Sequence, residues 1–369
     1  MKIVIDDRIP FIRGVFEPFA QVIYLPGKDI DPAAVADADA LIVRTRTRCN
    51  QALLGNSKVR FVATATIGFD HLNIAELSSC GIQWSNAPGC NAVSVKNYIA
   101  SALAAMDEPL RGKTMGIIGV GHVGSKVALV ARAFGMNVLL NDPPRAEKEG
   151  ESGFTDLDDL LAASDIVTLH VPLEREGKYP TVNMADEAFF QKMRSKAWFF
   201  NSCRGEAVVE KALTGAVDSG KLSGVLMDVW PGEPDMSEKL LASVDFGTPH
   251  IAGYSADGKA NGTTASVRFI AEKLNIEALK NWRPSGLPDP EYPPVIDLAG
   301  GKTADEAVRK AVLHAYDIRR DSEALAANPS QFEHLRGSYW VRREFSAYSV
   351  KNFPESAAEA LQLLDFNLI

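Results

Sequence analysis

The chain has 369 residues, of which 46% are hydrophobic and 23% are charged, and its formal net charge is −8. This length accommodates two or three globular domains, and the acidic balance argues against a nucleic-acid or membrane-surface partner. No apolar run reaches the length that spans a bilayer, and Met1 to Asp6 predicts a strand rather than a signal peptide. The four cysteines lack metal-binding or CxxC spacing, so we interpret them as reduced thiols of a cytoplasmic protein.

From residue 1 to about residue 90, short apolar runs alternate with segments of helical pattern. The runs that predict strands are Ile3–Ile5, Val22–Leu25, Leu41–Val43, Phe61–Ala63 and Ile82–Trp84. Such alternation is typical of a parallel sheet that is covered by helices on both faces. An alanine-rich helix is predicted from Ala92 to Met106.

A glycine-rich turn, Gly119-Val120-Gly121-His122-Val123-Gly124, follows a predicted strand at Thr114–Ile118. Ser125–Phe134 predicts a helix, and the strand Val138–Leu140 leads to Asp142. The glycines permit the turn, the approach of a pyrophosphate and close helix packing, and the helix N-terminus offers N–H groups to the phosphates. Asp142 lies where a carboxylate accepts hydrogen bonds from an adenine ribose. The pattern predicts a dinucleotide site, although a tight βα turn with an unrelated aspartate remains the alternative.

Asp142 also favours NAD over NADP. A carboxylate at this position would repel a 2′-phosphate, and no arginine immediately follows it.

The strand pattern continues beyond Asp142 with predicted strands at Ile166–Leu169, Trp198–Phe200, Val225–Met227 and near Asp245–Phe246. These strands predict a second, larger doubly wound unit, and Val267–Leu279 predicts a helix. Arg283–Pro294 contains five prolines and one glycine and predicts a linker.

A small C-terminal module follows the linker. Thr303-Ala304-Asp305-Glu306 is a capping box that begins a helix to about Arg320. Tyr339–Val341 and Tyr348–Val350 predict strands, and Ser356–Leu364 predicts a last helix. Because about 75 residues are few for an independent fold, we expect oligomerisation to stabilise this module.

Polar residues follow three of the later strands, at the carboxyl ends where open α/β sheets bind ligands. The segments are Asn201-Ser202-Cys203-Arg204-Gly205, Asp228 to Pro234, and Thr248-Pro249-His250. Oxidation of an alcohol beside a carboxylate needs a guanidinium to hold the carboxylate, a base, and an acid that orients the base. Arg204, His250 and Glu233 match these roles. Taken singly, Arg204 also fits a surface ion pair, His250 a structural histidine and Glu233 a solvated turn.

Residues 1 to 280 resemble the D-isomer-specific 2-hydroxyacid dehydrogenase family, and these three segments are similar to its signature blocks. The resemblance implies that Arg204 binds the substrate carboxylate and carbonyl, that His250 is the acid/base and that Glu233 pairs with it. Asp228 would face the nicotinamide amide. The implied NAD contacts are Gly119, Gly121, His122, Val123, Gly124, Asp142, Val171, Ser202, Cys203, Arg204, Asp228 and Gly253.

The predicted fold class is α/β, with two doubly wound parallel-sheet domains and a small α+β C-terminal dimerisation domain. In the family, a Rossmann NAD domain is inserted into a flavodoxin-like substrate domain, with the cleft between them. This implies a substrate domain at residues 1–92 and 257–282, an NAD domain at 93–256, and a linker and dimerisation domain at 283–369. The expected assembly is a homodimer.

A subgroup of the family is similar at Pro88 to Ala92, Asp142 to Arg145, His250 to Tyr254 and in the C-terminal module. Asn97 departs from the family pattern, because many relatives carry a glutamate there. This similarity implies a small phosphorylated 2-hydroxy acid as substrate, of four carbons or, alternatively, 3-phosphoglycerate. The alternative from another class is a non-catalytic NAD-sensing module, since the fold also serves as a redox-responsive corepressor.

Alternate residues of the segment Val43 to Arg48 are arginines, which would share one face if the strand continued. Arg44 and Arg46 would then meet a phosphate, although an exposed basic edge is an equal alternative. Further substrate contacts implied by the resemblance are Thr45, Thr66 and Tyr254.

Other reactive side chains are expected to have structural roles or none in catalysis. His71 is expected to shape its loop, and His170 to lie near the nicotinamide. Cys203 has no adjacent base in the sequence, so we do not predict a nucleophile there. Arg342 and Arg343 fit a surface ion pair better than a phosphate site on a neighbouring subunit.

Overall fold

The computed structural model describes residues 1–301, 303–340 and 342–369, and the chain divides into two compact units. Unit 1 comprises Met1–Asn91 and Ser255–Asp289, and unit 2 comprises Ala92–Tyr254 and Pro290–Ile369. Among the described residues, no helix combines the length and the apolar character that crossing a membrane requires. The predicted α/β class is confirmed in both units.

The described residues form parallel strands and mostly short helices. In chain order the strands are β1 Lys2–Asp6, β2 Gln21–Leu25, β3 Ala40–Val43, β4 Phe61–Thr64, β5 Gln83–Ser85, β6 Thr114–Ile118, β7 Asn137–Asn141, β8 Ile166–Leu169, β9 Ala197–Asn201, β10 Leu222–Met227, β11 Phe246–Gly247, β12 Val295–Asp297, β13 Ser349–Lys351 and β14 Asn367–Leu368. The helices are α1 Pro32–Val35, α2 Gln51–Leu54, α3 Ile74–Ser79, α4 Ala92–Ala105, α5 Gly124–Ala133, α6 Pro143–Glu149, α7 Leu157–Ala163, α8 Glu187–Lys192, α9 Glu210–Asp218, α10 Glu238–Leu241, α11 Ala256–Lys273, α12 Ala304–Ala315, α13 Ile318–Ala327, α14 Phe332–Gly337 and α15 Ala358–Leu363.

Unit 1 contains a parallel sheet with the strand order β2-β1-β3-β4-β5. This is the flavodoxin-like order that the resemblance implied. Alternate residues of each strand enter different cores: Ile3 packs in the same cluster as Val267 of α11, whereas Val4 packs in the cluster of Leu53 and Leu77. The sheet is therefore buried on both faces, which explains its nearly continuous apolar strands.

Helix α11 begins well before the predicted start at Val267 and ends before the predicted end at Leu279. The Ser255 side chain caps it by accepting a hydrogen bond from the Gly258 N–H at 2.8 Å. Because glycines lower helix propensity, the sequence pattern did not predict the first half of this helix. Gly262 has a packing reason, because a Cβ there would lie 2.5 Å from the Ala65 carbonyl oxygen.

The large sheet of unit 2 has the order β11-β10-β9-β8-β6-β7, and its paired strands are parallel. Because β6 lies between β7 and β8, the strand order reverses at β6, and the glycine-rich turn follows this strand. The three strands with polar carboxyl ends, β9, β10 and β11, are neighbours. Their ends therefore meet at one edge of the sheet, as the Rossmann-type prediction requires.

The C-terminal segment belongs to unit 2. Its strands form a small parallel sheet, β12-β13-β14, and its helices pack on α4 of the NAD-binding part. The presence of a small α+β C-terminal domain is confirmed. The domain scheme that separates residues 283–369 as a dimerisation domain stays a prediction.

Polar side chains of α4 bind this C-terminal domain. Lys96 forms an ion pair of 2.7 Å with Asp365, and the Asn97 Oδ1 accepts a hydrogen bond of 3.2 Å from the Phe345 N–H. The departure from the family pattern at Asn97 therefore occurs where the helix contacts the C-terminal domain. Arg309 of α12 donates hydrogen bonds to the carbonyls of Leu103 and Ala104 in the last turn of α4, which are groups that a helix end leaves unsatisfied. It also donates to two carbonyls just beyond the helix.

Two local predictions in the C-terminal domain are wrong. The helix expected to reach Arg320 breaks at Tyr316, whose backbone is extended, and Asp317 caps the new helix α13. Tyr339 and Trp340 are not in a strand, and Val341 lies outside the described residues. Tyr339 and Trp340 instead donate side-chain hydrogen bonds to the buried Asp321, so tertiary contacts replaced the expected strand pairing.

The Lys96–Asp365 pair generates a stability prediction, because only 2% of the Lys96 side chain is exposed, against 42% for Asp365. Asp365→Asn leaves a buried ammonium without its carboxylate and should lower the free energy of unfolding by about 2 kcal/mol. Lys96→Met removes the buried charge and should change it by less than about 1 kcal/mol. Urea denaturation at pH 7 measures both, with Glu359→Gln as an exposed control. Equal losses for Lys96→Met and Asp365→Asn would contradict this account.

Candidate active site

His250 and Glu233, predicted as a base and its orienting acid, form a hydrogen-bonded pair in unit 2. The His250 Nδ1 and the Glu233 Oε1 are 2.5 Å apart. If Nδ1 carries the proton and donates it to the carboxylate, Nε2 is left with a lone pair. Burial alone would raise the pKa of Glu233, but the hydrogen bond from His250 and the charges of His250 and Arg336 together lower it. The pair thus presents an imidazole base beside an ionised carboxylate.

The turn that carries His250 is held by the buried carboxylate of Asp228. Its Oδ1 accepts hydrogen bonds from the Thr248 hydroxyl and the Ile251 N–H, both at 2.7 Å, and its Oδ2 accepts from the Ala252 N–H at 2.9 Å. His250 itself has a φ of +56°, a conformation that is uncommon for a residue with a Cβ. Asp228 therefore fixes a backbone that would otherwise relax. Its predicted contact with the nicotinamide stays a prediction.

Thr248 extends this network into α4 and the β10 end. Its hydroxyl lies 2.6 Å from the Tyr98 Oη, and its carbonyl accepts from the Trp230 indole N–H at 2.9 Å. Burial raises the pKa of Asp228, and the surrounding hydrogen bonds and His250 oppose that rise. Helix α4 and two strand ends thus converge on the turn before His250.

Arg204 follows β9 and adjoins the segment that carries Glu233. A Cβ on Gly205 would collide with the backbone of Trp230 and Pro231, so only a glycine allows the two segments to come this close. Within its own segment, the Arg204 Nη1 donates to the Cys203 carbonyl at 2.8 Å and the Asn201 side chain donates to the Arg204 carbonyl at 2.9 Å. The structure therefore brings the β9 and β10 segments together.

The glycine-rich turn has the features expected of a pyrophosphate cradle. Gly119 has a φ of +85°, and a Cβ there would lie 2.7 Å from the His170 backbone. A Cβ on Gly124 would collide with the Gly119 carbonyl, whereas one on Gly121 would meet no atom of the described residues within 4 Å. The turn is thus tight on the protein side and open at Gly121, where a phosphate can approach. It also adjoins Val171, a predicted cofactor contact.

Asp142 lies beside this turn and already has backbone partners. Its Oδ2 accepts a hydrogen bond from the Val120 N–H at 2.8 Å, and its Oδ1 caps α6 by accepting from the Arg145 N–H at 3.1 Å. Arg145, three positions after Asp142, donates to Glu149 at 2.8 and 2.6 Å and to the Val120 carbonyl at 2.5 Å. This arginine is therefore paired with an acid.

The β9 end offers a further indication of a ligand. The Ser202 Oγ is buried and has no hydrogen-bond partner among the described residues, as expected for a group that contacts a cofactor. The neighbouring Cys203 thiol donates to the Asn201 Oδ1 at 3.1 Å. Burial raises the pKa of Cys203 to about 11, so it is a protonated thiol at neutral pH and a poor nucleophile.

In unit 1, Thr66 is part of a hydrogen-bonded loop. The Thr64 hydroxyl lies 3.0 Å from the His71 Nε2 and 2.8 Å from the Thr66 hydroxyl. The Thr66 hydroxyl donates to the Gly68 carbonyl at 2.9 Å. Burial lowers the pKa of His71 to about 4, against an opposing effect of Asp70. A neutral His71 thus supports the loop, and the substrate contact of Thr66 stays a prediction.

The condition attached to the arginines after β3 is not met, since the strand ends at Val43. Arg44 to Thr47 form a turn, in which the Thr47 N–H donates to the Arg44 carbonyl at 3.3 Å. The Arg44 side chain donates to the Arg8 carbonyl at 3.1 Å, and Thr45 and Arg46 are exposed. A common strand face for the three arginines is therefore wrong.

Sequence reasoning missed Arg336 of the C-terminal domain and misinterpreted Arg342. Arg342 is only 1% exposed, so its interpretation as a surface ion pair is wrong. Its Nη2 donates to the carbonyls of Ile251 and Ala252 at 3.2 and 2.6 Å. The Arg336 Nε donates to the Tyr254 hydroxyl at 3.2 Å. Neither contact has a local sequence signal, because both depend on where the domain packs.

The Asp228 network predicts a specific effect of Asp228→Asn. The asparagine side chain would place an NH₂ donor where a carboxylate oxygen now accepts a hydrogen bond, so that two donors would face each other. This should lower the free energy of unfolding by about 2 kcal/mol and sharply reduce turnover. Urea denaturation and steady-state kinetics measure these effects, with Asp159→Asn, an exposed position in α7, as the control. A raised KM for NAD with unchanged stability would show that Asp228 acts through the cofactor instead.

The lowered pKa of His71 predicts acid sensitivity of unit 1. Its ordinary pKa of 6.5 falls to about 4 in the folded protein, so the unfolded chain binds a proton first as the pH falls. The stabilisation is complete above pH 6.5 and is lost as the pH falls towards 4. Between pH 7.5 and 5.0, His71→Gln should reduce the loss of unfolding free energy by about 2 kcal/mol. Equal losses in wild type, His71→Gln and the exposed control His334→Gln would refute this.

Comparison with known proteins agrees with this geometry. Residues 90–252 match the D-isomer specific 2-hydroxyacid dehydrogenase NAD binding domain, and residues 287–364 match a family described as a domain of unknown function. An erythronate-4-phosphate dehydrogenase of Bacteroides fragilis is 49% identical, covering 95% of this chain and 99% of its own. The protein of that name from Citrobacter koseri is 41% identical, covering 100% of this chain and 99% of its own.

Among solved structures, D-lactate dehydrogenase from Aquifex aeolicus, complexed with NAD and lactic acid, has a TM-score of 0.62 and 26% identity. The match covers 78% of this chain and 99% of that one. The resemblance inferred from the signature segments is confirmed. The chain belongs to the D-isomer specific 2-hydroxyacid dehydrogenase family and, within it, groups with the proteins named erythronate-4-phosphate dehydrogenase.

Proposed function

We propose that the protein catalyses the NAD-dependent oxidation of 4-phospho-D-erythronate to 2-oxo-3-hydroxy-4-phosphobutanoate, a step in pyridoxal 5′-phosphate biosynthesis. The relatives that span nearly the whole chain carry the name of this activity. The observation that carries the proposal is the hydrogen-bonded pair of His250 and Glu233, because alcohol oxidation requires a base at the reacting hydroxyl.

His250 performs the proton transfer. Its Nε2 accepts the proton of the C2 hydroxyl while the C2–H bond breaks, and the resulting imidazolium donates from Nδ1 to Glu233. The lowered pKa of Glu233 keeps this carboxylate ionised at neutral pH, where it stabilises the imidazolium. NAD, when bound, supplies the chemistry of hydride acceptance at its nicotinamide.

The residues around the glycine-rich turn fit NAD. The open side of Gly121 and the N-terminal end of α5 suit the pyrophosphate, and Asp142 suits the adenine ribose. The Ser202 Oγ, which has no hydrogen-bond partner among the described residues, offers a further contact. Gly119, His122, Val123, Gly124, Val171, Cys203, Arg204, Asp228 and Gly253 remain the other proposed cofactor contacts.

Arg204 is the proposed ligand of the substrate carboxylate. Its planar guanidinium can donate two parallel hydrogen bonds to a carboxylate and so fix the orientation of C2. In unit 1, Arg44, Thr45, Arg46 and Thr66 are proposed substrate contacts, and in unit 2 Tyr254 is another. A homodimer in the cytoplasm is the proposed state of the enzyme, as the family resemblance of the C-terminal module and the absence of metal or CxxC spacing among the cysteines led us to expect.

Of two alternatives to this function, the catalytic residues argue against one, and a comparison of turnover decides the other. A non-catalytic NAD sensor would have no need of the His250–Glu233 hydrogen bond, which the chain retains. Oxidation of 3-phosphoglycerate would use the same catalytic residues, because one fewer carbon changes only where the phosphate binds. Relative turnover on the two acids decides between them.

The deciding experiment is NADH formation by the purified protein with NAD and 4-phospho-D-erythronate, beside 3-phosphoglycerate and with a 2-oxo acid present to reoxidise bound NADH. We expect turnover with the four-carbon acid, and a loss of roughly 10³-fold in kcat for Glu233→Gln. Glu206→Gln serves as the matched control in the neighbouring segment. Faster oxidation of 3-phosphoglycerate would overturn the substrate, and NAD binding without any turnover would favour the sensor.

A further inference from the structure

Arg336 of the C-terminal domain lies next to the catalytic residues of unit 2. It is in the last turn of α14, and its Nε donates to the Tyr254 hydroxyl at 3.2 Å. The guanidinium carbon lies 5.9 Å from the centre of the Tyr254 ring. The rings of Tyr254 and Tyr339 pack edge to face, with their centres 6.2 Å apart. Tyr254 follows His250 by four positions, so this contact places a cation close to the reacting end of the site.

The guanidinium of Arg336 has unused donors. Within residues 1–301, 303–340 and 342–369, no acceptor binds its Nη1 or Nη2, and it forms no ion pair within 4.0 Å. The carboxylates whose negative charge acts on Arg336 are those of Glu233 and Asp228. Both already have other partners, because Glu233 is hydrogen-bonded to His250 and Asp228 accepts hydrogen bonds from the turn that carries His250. A half-buried cation with two free N–H₂ groups is suited to an anion that arrives with the substrate.

Arg342 anchors the region that carries Arg336 to the catalytic turn. Its Nη2 donates to the carbonyls of Ile251 and Ala252, the two residues after His250. Its guanidinium carbon lies 4.4 Å from the centre of the Tyr316 ring, a cation–π contact that adds to these hydrogen bonds. The position of Arg336 relative to His250 is therefore built into the fold of unit 2.

We propose that Arg336 binds the phosphate group of the substrate, so that the C-terminal domain selects a phosphorylated 2-hydroxy acid. Arg204 is already assigned to the carboxylate, and the phosphate is the remaining anionic end of the molecule. The two Nη groups match two phosphate oxygens, and the bond from Nε to Tyr254 orients the guanidinium plane. This inference rests on the proposed function and gives a role to the region that matches a family of unknown function.

The test compares kcat/KM for 4-phospho-D-erythronate with kcat/KM for D-erythronate, which lacks the phosphate. Arg336→Gln should lower the ratio of these two values by about 100-fold, because a charge-assisted pair with the phosphate is lost. Arg336→Lys should restore part of the ratio, since it keeps the charge without the planar fork. Arg319→Gln, which removes an exposed arginine paired with Asp317, should leave the ratio unchanged.

An equal loss on both substrates would assign Arg336 to positioning Tyr254 or Glu233 and would overturn the inference. Calorimetric titration with inorganic phosphate gives an independent readout: weaker binding in Arg336→Gln than in wild type supports the assignment, and equal binding refutes it. Absence of wild-type turnover on 4-phospho-D-erythronate would instead overturn the proposed function. Unchanged urea denaturation of Arg336→Gln establishes that a lowered ratio does not arise from unfolding.

Discussion

The buried carboxylate of Asp228 is the constraint on which the geometry of the catalytic pair depends. It lies at the end of β10 and collects donors from the segment after β11, so it ties two neighbouring strand ends together. A carboxylate can be buried at acceptable cost only when such donors surround it. The same donors bend the backbone at His250 into its left-handed conformation and direct the imidazole towards Glu233. The base is thus positioned by main-chain interactions.

The C-terminal domain completes this arrangement and is integral to unit 2. Arg342 holds the backbone just after His250, and Arg309 donates to carbonyls in the last turn of α4. Since Tyr98 of α4 reaches Thr248, the domain supports the catalytic turn from two directions. A dehydrogenase such as the lactate enzyme of Aquifex aeolicus is matched over nearly its full length by only 78% of this chain. In this chain the C-terminal domain adds contacts that support the catalytic turn, and it adds the charge of Arg336, to a fold that the family shares.

The sequence predicted those parts of the molecule whose cause is local. The spacing of Gly119, Gly121 and Gly124 predicts the turn because the first and third glycines meet close backbone contacts and Gly121 leaves room for a phosphate. Strand-end polarity predicts Glu233 and His250 because parallel strands align their ends. The prediction that the arginines after β3 share one strand face was wrong, because nothing in the local sequence reveals that the strand ends at Val43. Arg336 and Arg342 were beyond sequence reasoning for a different reason. Their partners lie about 80 to 90 positions away, and a lone arginine carries no sign of its burial.

The polar face of α4 limits how such a protein can be altered by recombination. A chimera that joins the first 290 or so residues of this chain to the tail of a homologue would set the buried Lys96 against a residue that did not evolve with it. Partners on the two sides of such a contact must change in concert. Successful crossovers should therefore keep α4 and the last 80 or so residues from one parent, whereas unit 1 lies outside that restriction.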